Sequence, residues 1–468
     1  MTNKSFKTGA AALIVSLALG AYARADVVFH PREVGANIDF GEIRSGEEEG
    51  SDWSRQTLTR TGVYLTTSAT VNEKLDFYMT IGGLFWYPTH PGEASPERLV
   101  RFGPGVGQAQ GIYTFGNRND PIGKLQFGLF PVKYNPDATN LGEYLFRSGT
   151  YPGYLITGGW SYLNSANYLA QGARFTLPTF GGRVTHDFTL FMERDYEPTS
   201  DFSPGYVITA KPTGFLELGA GVVWAHALSL NPDRLSPNKT HQDTITNGYN
   251  KNTGKPLHGE PTPADTANGK YNYPIGFYTF RGFKTMARAS VDVGSLIGLD
   301  GTSLDVGSLI GLQAAAKNEL KVYSEIALLG VEDQPFYYED KTDRMPIMLG
   351  VSVPTFGVFD KLSLEGEYHK SKFRNSVGAP FYYSLPIPLD DDGTQDNPYA
   401  YADNSTKDDW HWSIYASRSI IPGIRVYAQA ASDHQRHPTG PEVKPSIEPP
   451  TQKSSDWYYV FRLEFGLY

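Results

Sequence analysis

Hydrophobic and polar positions alternate with period two along most of the chain. After Gly62, Val63, Leu65, Ala69 and Val71 alternate with Tyr64, Thr66, Ser68 and Thr70. Beyond Asn72-Glu73-Lys74 the pattern resumes, with Leu75, Phe77, Met79 and Ile81 alternating with Asp76, Tyr78, Thr80 and Gly82. Successive side chains of a strand point to opposite faces, so each segment is a strand with one apolar and one polar face. The same pattern predicts sixteen strands, near 34–43, 55–71, 75–87, 106–116, 123–134, 168–177, 183–194, 205–211, 215–228, 275–293, 318–331, 345–354, 361–373, 409–420, 424–434 and 456–468.

The connectors sort by length. Tight ones fall at 72–74, 117–122, 178–182, 211–214, 354–360 and 421–423; long ones fall at 44–54, 88–105, 135–167, 195–204, 229–274, 332–344, 374–408 and 435–455. The two classes alternate, which predicts an antiparallel transmembrane β-barrel with short periplasmic turns and long extracellular loops. One region breaks the rhythm. DVGSLIGL occurs at Asp292–Leu299 and again at Asp305–Leu312, with the turn signal Asp300-Gly301 between the copies. Segment 294–317 is therefore either an extended periplasmic hairpin or two further strands, which would make eighteen.

Outward faces can be assigned strand by strand. They include Leu169, Ala173, Phe175 and Leu177; Phe188, Leu190 and Met192; Leu216, Leu218, Ala220, Val222 and Trp224; Trp410, Trp412, Ile414 and Ala416; and Ile424, Val426, Ala428 and Ala430. Trp86, Tyr87, Trp224, Trp410 and Trp457 fall near strand ends, where an interfacial aromatic girdle would sit. The inward phase carries both charge signs, among them Arg60, Arg174, Asp187, Lys284, Arg288, Asp292, Glu365, Glu367, Arg425, Arg462 and Glu464.

Composition narrows the compartment. Residues 1–25 have a basic start (Lys4, Lys7), a short apolar core and an Ala23-Arg24-Ala25 cleavage site, as in a secretory signal. Its removal takes away three cations and no acids, moving the formal charge from −9 to −12 and leaving a single barrel domain over 26–468. That acidity argues against a nucleic-acid partner. The chain has no cysteine, and no later segment is long and apolar enough for a membrane-spanning helix.

The last strand alternates Trp457, Tyr459, Phe461, Leu463, Phe465 and Leu467 with Val460, Arg462, Glu464 and Gly466, and ends at Tyr468. It resembles the terminal strand of Gram-negative outer-membrane proteins, although Tyr468 is one residue out of phase with the apolar face. The mature chain as a whole resembles a porin-like outer-membrane barrel. That resemblance rests on architecture and pattern. It implies location in the outer membrane among its lipids, small hydrophilic solutes as passengers, and a homotrimer as one compatible assembly. Pro178-Thr179-Phe180-Gly181-Gly182 is superficially similar to a constriction-loop motif of general porins. It lacks that motif's glutamate, and Pro354-Thr355-Phe356-Gly357 repeats it in another turn, so it is not carried over.

Porins fold their third loop into the lumen, and the third long loop here is 135–167. It is rich in apolar and aromatic residues (Leu141, Tyr144, Leu145, Phe146, Tyr151, Tyr154), whereas surface loops are normally polar. The barrel wall is the nearest surface for it to pack on. The resemblance then implies a constriction in which Asp137, Glu143 and Arg147 face wall arginines such as Arg174, Arg288 or Arg425. The alternatives for this loop are a rim cap or a subunit contact. Asp390-Asp391-Asp392-Gly393 lacks full EF-hand spacing for calcium and reads as an acidic surface loop. His434 and His437 have no third ligand in sequence. No metal, cofactor or catalytic set is expected; no G-x-S-x-G occurs. The expected function is a diffusion channel for small hydrophilic solutes; the alternative is a surface-binding or structural barrel whose long loops contact a polysaccharide or another external partner.

Overall fold

The computed structural model describes residues 27–45, 57–88, 101–147, 169–194, 200–228, 249–250, 271–272, 282–298, 319–331, 340–370, 410–432 and 457–467. The expected signal segment, Asp390–Asp392, His434, His437 and the second half of loop 135–167 lie outside these residues.

The strands are β1 (Val27–Ser45), β2 (Thr57–Val71), β3 (Leu75–Pro88), β4 (Arg101–Gly116), β5 (Pro121–Phe130), β6 (Ala170–Thr179), β7 (Val184–Met192), β8 (Phe202–Ala210) and β9 (Leu216–Ala225). A two-residue ladder, β10 (Tyr249–Asn250) and β11 (Tyr271–Asn272), stands apart. Then follow β12 (Gly282–Asp292), β13 (Lys321–Leu329), β14 (Ile347–Ser352), β15 (Lys361–Tyr368), β16 (Trp410–Ile421), β17 (Ile424–Ala431) and β18 (Trp457–Leu467). All but β10 and β11 form one closed ring, each strand antiparallel to its sequence neighbour in the ring. It closes where β1 meets β18, with Val34 opposite Leu467 and Phe40 opposite Phe461.

Sixteen strands therefore make the wall, as the alternation predicts. The eighteen-strand alternative does not hold: β12 pairs directly with β13, from Lys284 opposite Leu329 to Asp292 opposite Lys321. The first copy of the repeat ends β12 and enters a short helix, α1 (Val293–Leu296), capped by Asp292, whose Oδ1 accepts from Ser295 N at 2.9 Å. β1 is longer than its alternation suggests. Its first residues pair only with β2 and contain Pro31, next to a register shift between Pro31 and Glu33. Proline is tolerated at such an unpaired edge or bulge because it has no N–H to donate.

Turn chemistry explains the tight end of the barrel. Asn72 and Glu73, with φ of 49° and 58°, make the β2–β3 turn, and both central residues of a type I′ turn need positive φ. The two Pro-Thr-Phe-Gly segments are also turns: Phe180 and Phe356 sit at φ 52° and 49°, each followed by a left-handed glycine.

The two faces of the wall differ as expected. Outward apolar side chains are exposed, including Val63, Leu65, Met79, Phe188, Leu190, Leu218, Leu349, Leu364, Ile414 and Phe461. At the long-loop end, aromatics on neighbouring strands pair, Trp224 with Phe283 (5.2 Å between ring centroids) and Tyr368 with Trp410 (4.7 Å), and Trp412 on β16 approaches Trp457 on β18 (6.2 Å), with β17 between their strands. Inside, one apolar cluster joins the segment after β5 (Val132, Leu141, Leu145, Phe146) to inward residues such as Phe191, Val223, Met286 and Met348.

Candidate functional site

The segment 131–147, which follows β5, runs inside the ring. It contacts inward side chains of β13 and β15, and β15 lies eight strands beyond β5 in a ring of sixteen, on the opposite wall. Residues 141–147 are all buried.

Three glutamates on that wall hold it. Glu325 on β13 stands opposite Met348 on β14, which stands opposite Glu367 on β15, so these residues share one row of the inner face. Glu365 lies two residues before Glu367 and on the same face. Six consecutive loop amides donate to these carboxylates. Thr139 N (2.5 Å), Asn140 N (2.9 Å) and Leu141 N (2.8 Å) go to Glu365. Gly142 N goes to Glu367 Oε2 (3.2 Å). Glu143 N (3.2 Å) and Tyr144 N (3.0 Å) go to Glu325. Successive N–H groups converging on anions form a nest, which left-handed residues make possible; Gly142 and Glu143 supply φ of 76° and 61°. A Cβ at Gly142 would also lie 2.7 Å from Met348 Cε, so the end of that side chain would have to move.

Side chains complete the latch. Tyr134 Oη (2.5 Å) and Asn135 Nδ2 (2.9 Å) donate to Glu325, and Tyr144 Oη (2.8 Å) and Arg147 Nη1 (2.6 Å) donate to Glu367 Oε2. Tyr323 Oη donates to Glu365 at 2.8 Å, its ring lying over Gly350, where a Cβ would collide with it. A buried carboxylate is costly unless several donors replace its water, and here each has them.

The predicted constriction residues do not all meet. Asp137 pairs with Lys321 on β13 at 3.3 Å. Glu143 turns back into its own loop, where its carboxylate accepts from Asn135 N at 2.5 Å and Tyr134 N at 3.3 Å. Burial first, and then the charge of Glu325, push its carboxyl up to about 8. Arg147 is buried against Glu367. The three wall arginines take other partners. Arg174 makes a two-pronged pair with Asp187 (2.9 and 2.8 Å), Arg288 binds Glu217 (2.7 Å) and Thr209 (3.1 Å), and Arg425 bonds Ser419 (3.0 Å) beside the Tyr427 ring. The sequence pattern places Glu365 and Glu367 in the lumen, but Glu325 and Tyr323 escape the candidates drawn from it. Both stand in the polar phase of KVYSEIALL, and that alternation is the signal that could have found them.

The wall on the other side of the ring is different. Thr66, Thr80, Gln108, Gln110 and Gln126 form a chain of side-chain hydrogen bonds across β2 to β5 at 2.9, 3.0, 2.8 and 2.5 Å. These residues are only partly buried.

No family model and no curated protein matches the chain. Among solved structures it is similar to a double mutant of the Rh. blastica porin, with 8% identity over 94% of this chain and 100% of that one and a TM-score of 0.41. It is also similar to OprB of Pseudomonas putida in its high-pH structure, with 9% identity over 94% of each chain and a TM-score of 0.44. Overlaps at this level equate no residue of this chain with any of theirs.

Proposed function

We propose that this chain is an outer-membrane channel for diffusion of small hydrophilic solutes, with segment 131–147 as its constriction. The observation that carries this reading is a loop crossing the inside of a closed sixteen-strand ring to three glutamates on the far wall. A ring of that size is too wide for wall side chains to fill, so it encloses water unless something narrows it. The loop narrows it. The exposed apolar band outside suits lipid, which offers no hydrogen bonds and so demands a closed sheet. A constriction built from the loop and its latch takes the place of a direct confrontation between Asp137, Glu143 and Arg147 and the arginines 174, 288 and 425.

The test is electrical. Purified full-length protein in a planar bilayer should give stepwise conductance, and deleting 136–146 should raise the unit conductance. Absence of steps from a correctly folded barrel would overturn the channel reading. Equal conductance with and without the segment would overturn its role as the constriction.

A further inference from the structure

Glu367 uses its two carboxylate oxygens for different purposes. Oε2 faces the loop and takes Gly142, Tyr144 and Arg147. Oε1 faces two imidazoles, with His369 Nε2 at 3.0 Å and His411 Nδ1 at 3.1 Å. The strand geometry brings them together. His369 follows Glu367 by two residues, and His411 is its direct partner across the β15–β16 ladder. Glu367, His369 and His411 are 0, 1 and 3% exposed, and one ligand atom from each lies within 4.8 Å of the others.

Zinc bonds of about 2.0–2.2 Å in a tetrahedron place ligand atoms about 3.3–3.6 Å apart; the two imidazoles stand 3.0 and 3.1 Å from Oε1, and the three ligand atoms, within 4.8 Å of one another, would draw together on an ion. His369 Nδ1 is buried with no hydrogen-bond partner among the described residues. Without an ion, Nε2 donates its proton to Glu367 Oε1; an ion at Nε2 would displace that proton, the neutral ring then carrying its proton on Nδ1. Arg147 does not occupy the position, because its guanidinium binds the other carboxylate oxygen.

We propose that Glu367, His369 and His411 bind a divalent transition-metal ion of the zinc class, with a fourth position for water. Two imidazoles with one carboxylate favour zinc, nickel or copper over magnesium or calcium, which prefer all-oxygen sites. The bound ion ties β15 to β16 directly behind the loop latch, since Glu367 serves both.

The full-length barrel, folded in detergent and stripped with chelator, is titrated with zinc chloride by calorimetry and with cobalt chloride by visible absorption. The expected result is one equivalent bound, with a tetrahedral cobalt spectrum. His369→Gln and His411→Gln should each weaken binding at least about tenfold, and the His434→Ala/His437→Ala double variant should not. Heat-dependent gel migration shows that each variant has folded. Should a glutamine variant fail to fold, X-ray absorption of the zinc-loaded double variant decides, by the presence of two imidazoles. No binding by the folded wild type, binding unchanged in the glutamine variants, or no imidazole scattering from the double variant overturns the site. These readouts need no conductance, so failure of the channel reading and failure of the metal site are distinguishable.

Discussion

Two walls of the same barrel face the lumen with opposite chemistry. The wall from β12 to β16 carries buried glutamates saturated by the amides and side chains of segment 131–147. The wall from β2 to β5 carries a chain of threonines and glutamines that bond to one another and remain half-open. The glutamates of the one and the threonines and glutamines of the other are all hydrogen-bonded. Charge makes the difference. A carboxylate removed from water must find strong donors, and a passing loop with six aligned amides supplies them. Neutral amides and hydroxyls can satisfy each other locally, so that wall has no need to capture a loop.

The largest effect is expected at Glu365. Glu365→Gln puts an NH2 group among donors that already point at it, at a cost of about 3–5 kcal/mol, as for a buried charge network deprived of one partner. We expect the segment to leave the wall, with higher unit conductance and new protease cleavage between 131 and 147. Unchanged conductance and cleavage would mean that the latch is not what seats the loop.

Gly142→Val should act in the same direction and more weakly. It costs about 1–2 kcal/mol for a left-handed backbone alone, plus the approach to Met348. Larger fluctuations of the open-channel current are the expected reading, and a current as quiet as the wild type would count against the nest.

Acidity should sharpen the contrast. The Glu143 carboxyl, raised in the folded chain from 4.5 to about 8, binds a proton more tightly there than in the unseated loop. Its contribution to seating is fully present below about 4.5 and is lost as pH rises through the range to about 8. Current fluctuations should therefore be smaller at pH 5 than at pH 8.5, and Glu143→Gln should flatten that dependence. A dependence that survives the substitution would assign it to another group.

The smallest effect is expected on the other wall. Gln110→Leu removes two links of the ladder, worth about 1 kcal/mol each, and leaves partners that the lumen's water can reach. Solute permeation in a swelling assay should change modestly while unit conductance and loop cleavage stay as in the wild type. Cleavage of 131–147 in this variant would show that the two walls are coupled.

Much of the barrel was legible in the chain. Alternation at Val63–Val71 and Leu75–Ile81 fixes which side chains face out, because the strand period is two whatever the tertiary context. Connector lengths fix which ends lie together, and the three-residue break in alternation at Asn72-Glu73-Lys74 marks a hairpin. The unusual greasiness of Leu141, Tyr144, Leu145 and Phe146 indicates a loop that needs a surface to pack on. Its landing place was not legible. Glu325 and Glu143 are 182 positions apart in the chain, and no local rule relates them.

The sequence alone thus determined the faces of the strands and the order of long and short connectors, since each follows from periodicity and turn chemistry within a few residues; the choice of sixteen strands over eighteen came from the direct pairing of β12 with β13. Only the tertiary structure decided which inward charges meet. Ring closure brings β15 opposite β5 and sets Glu325, Met348, Glu367 and His411 in one row through cross-strand register. Register belongs to pairs of strands, so it is a property of the closed sheet rather than of any one segment.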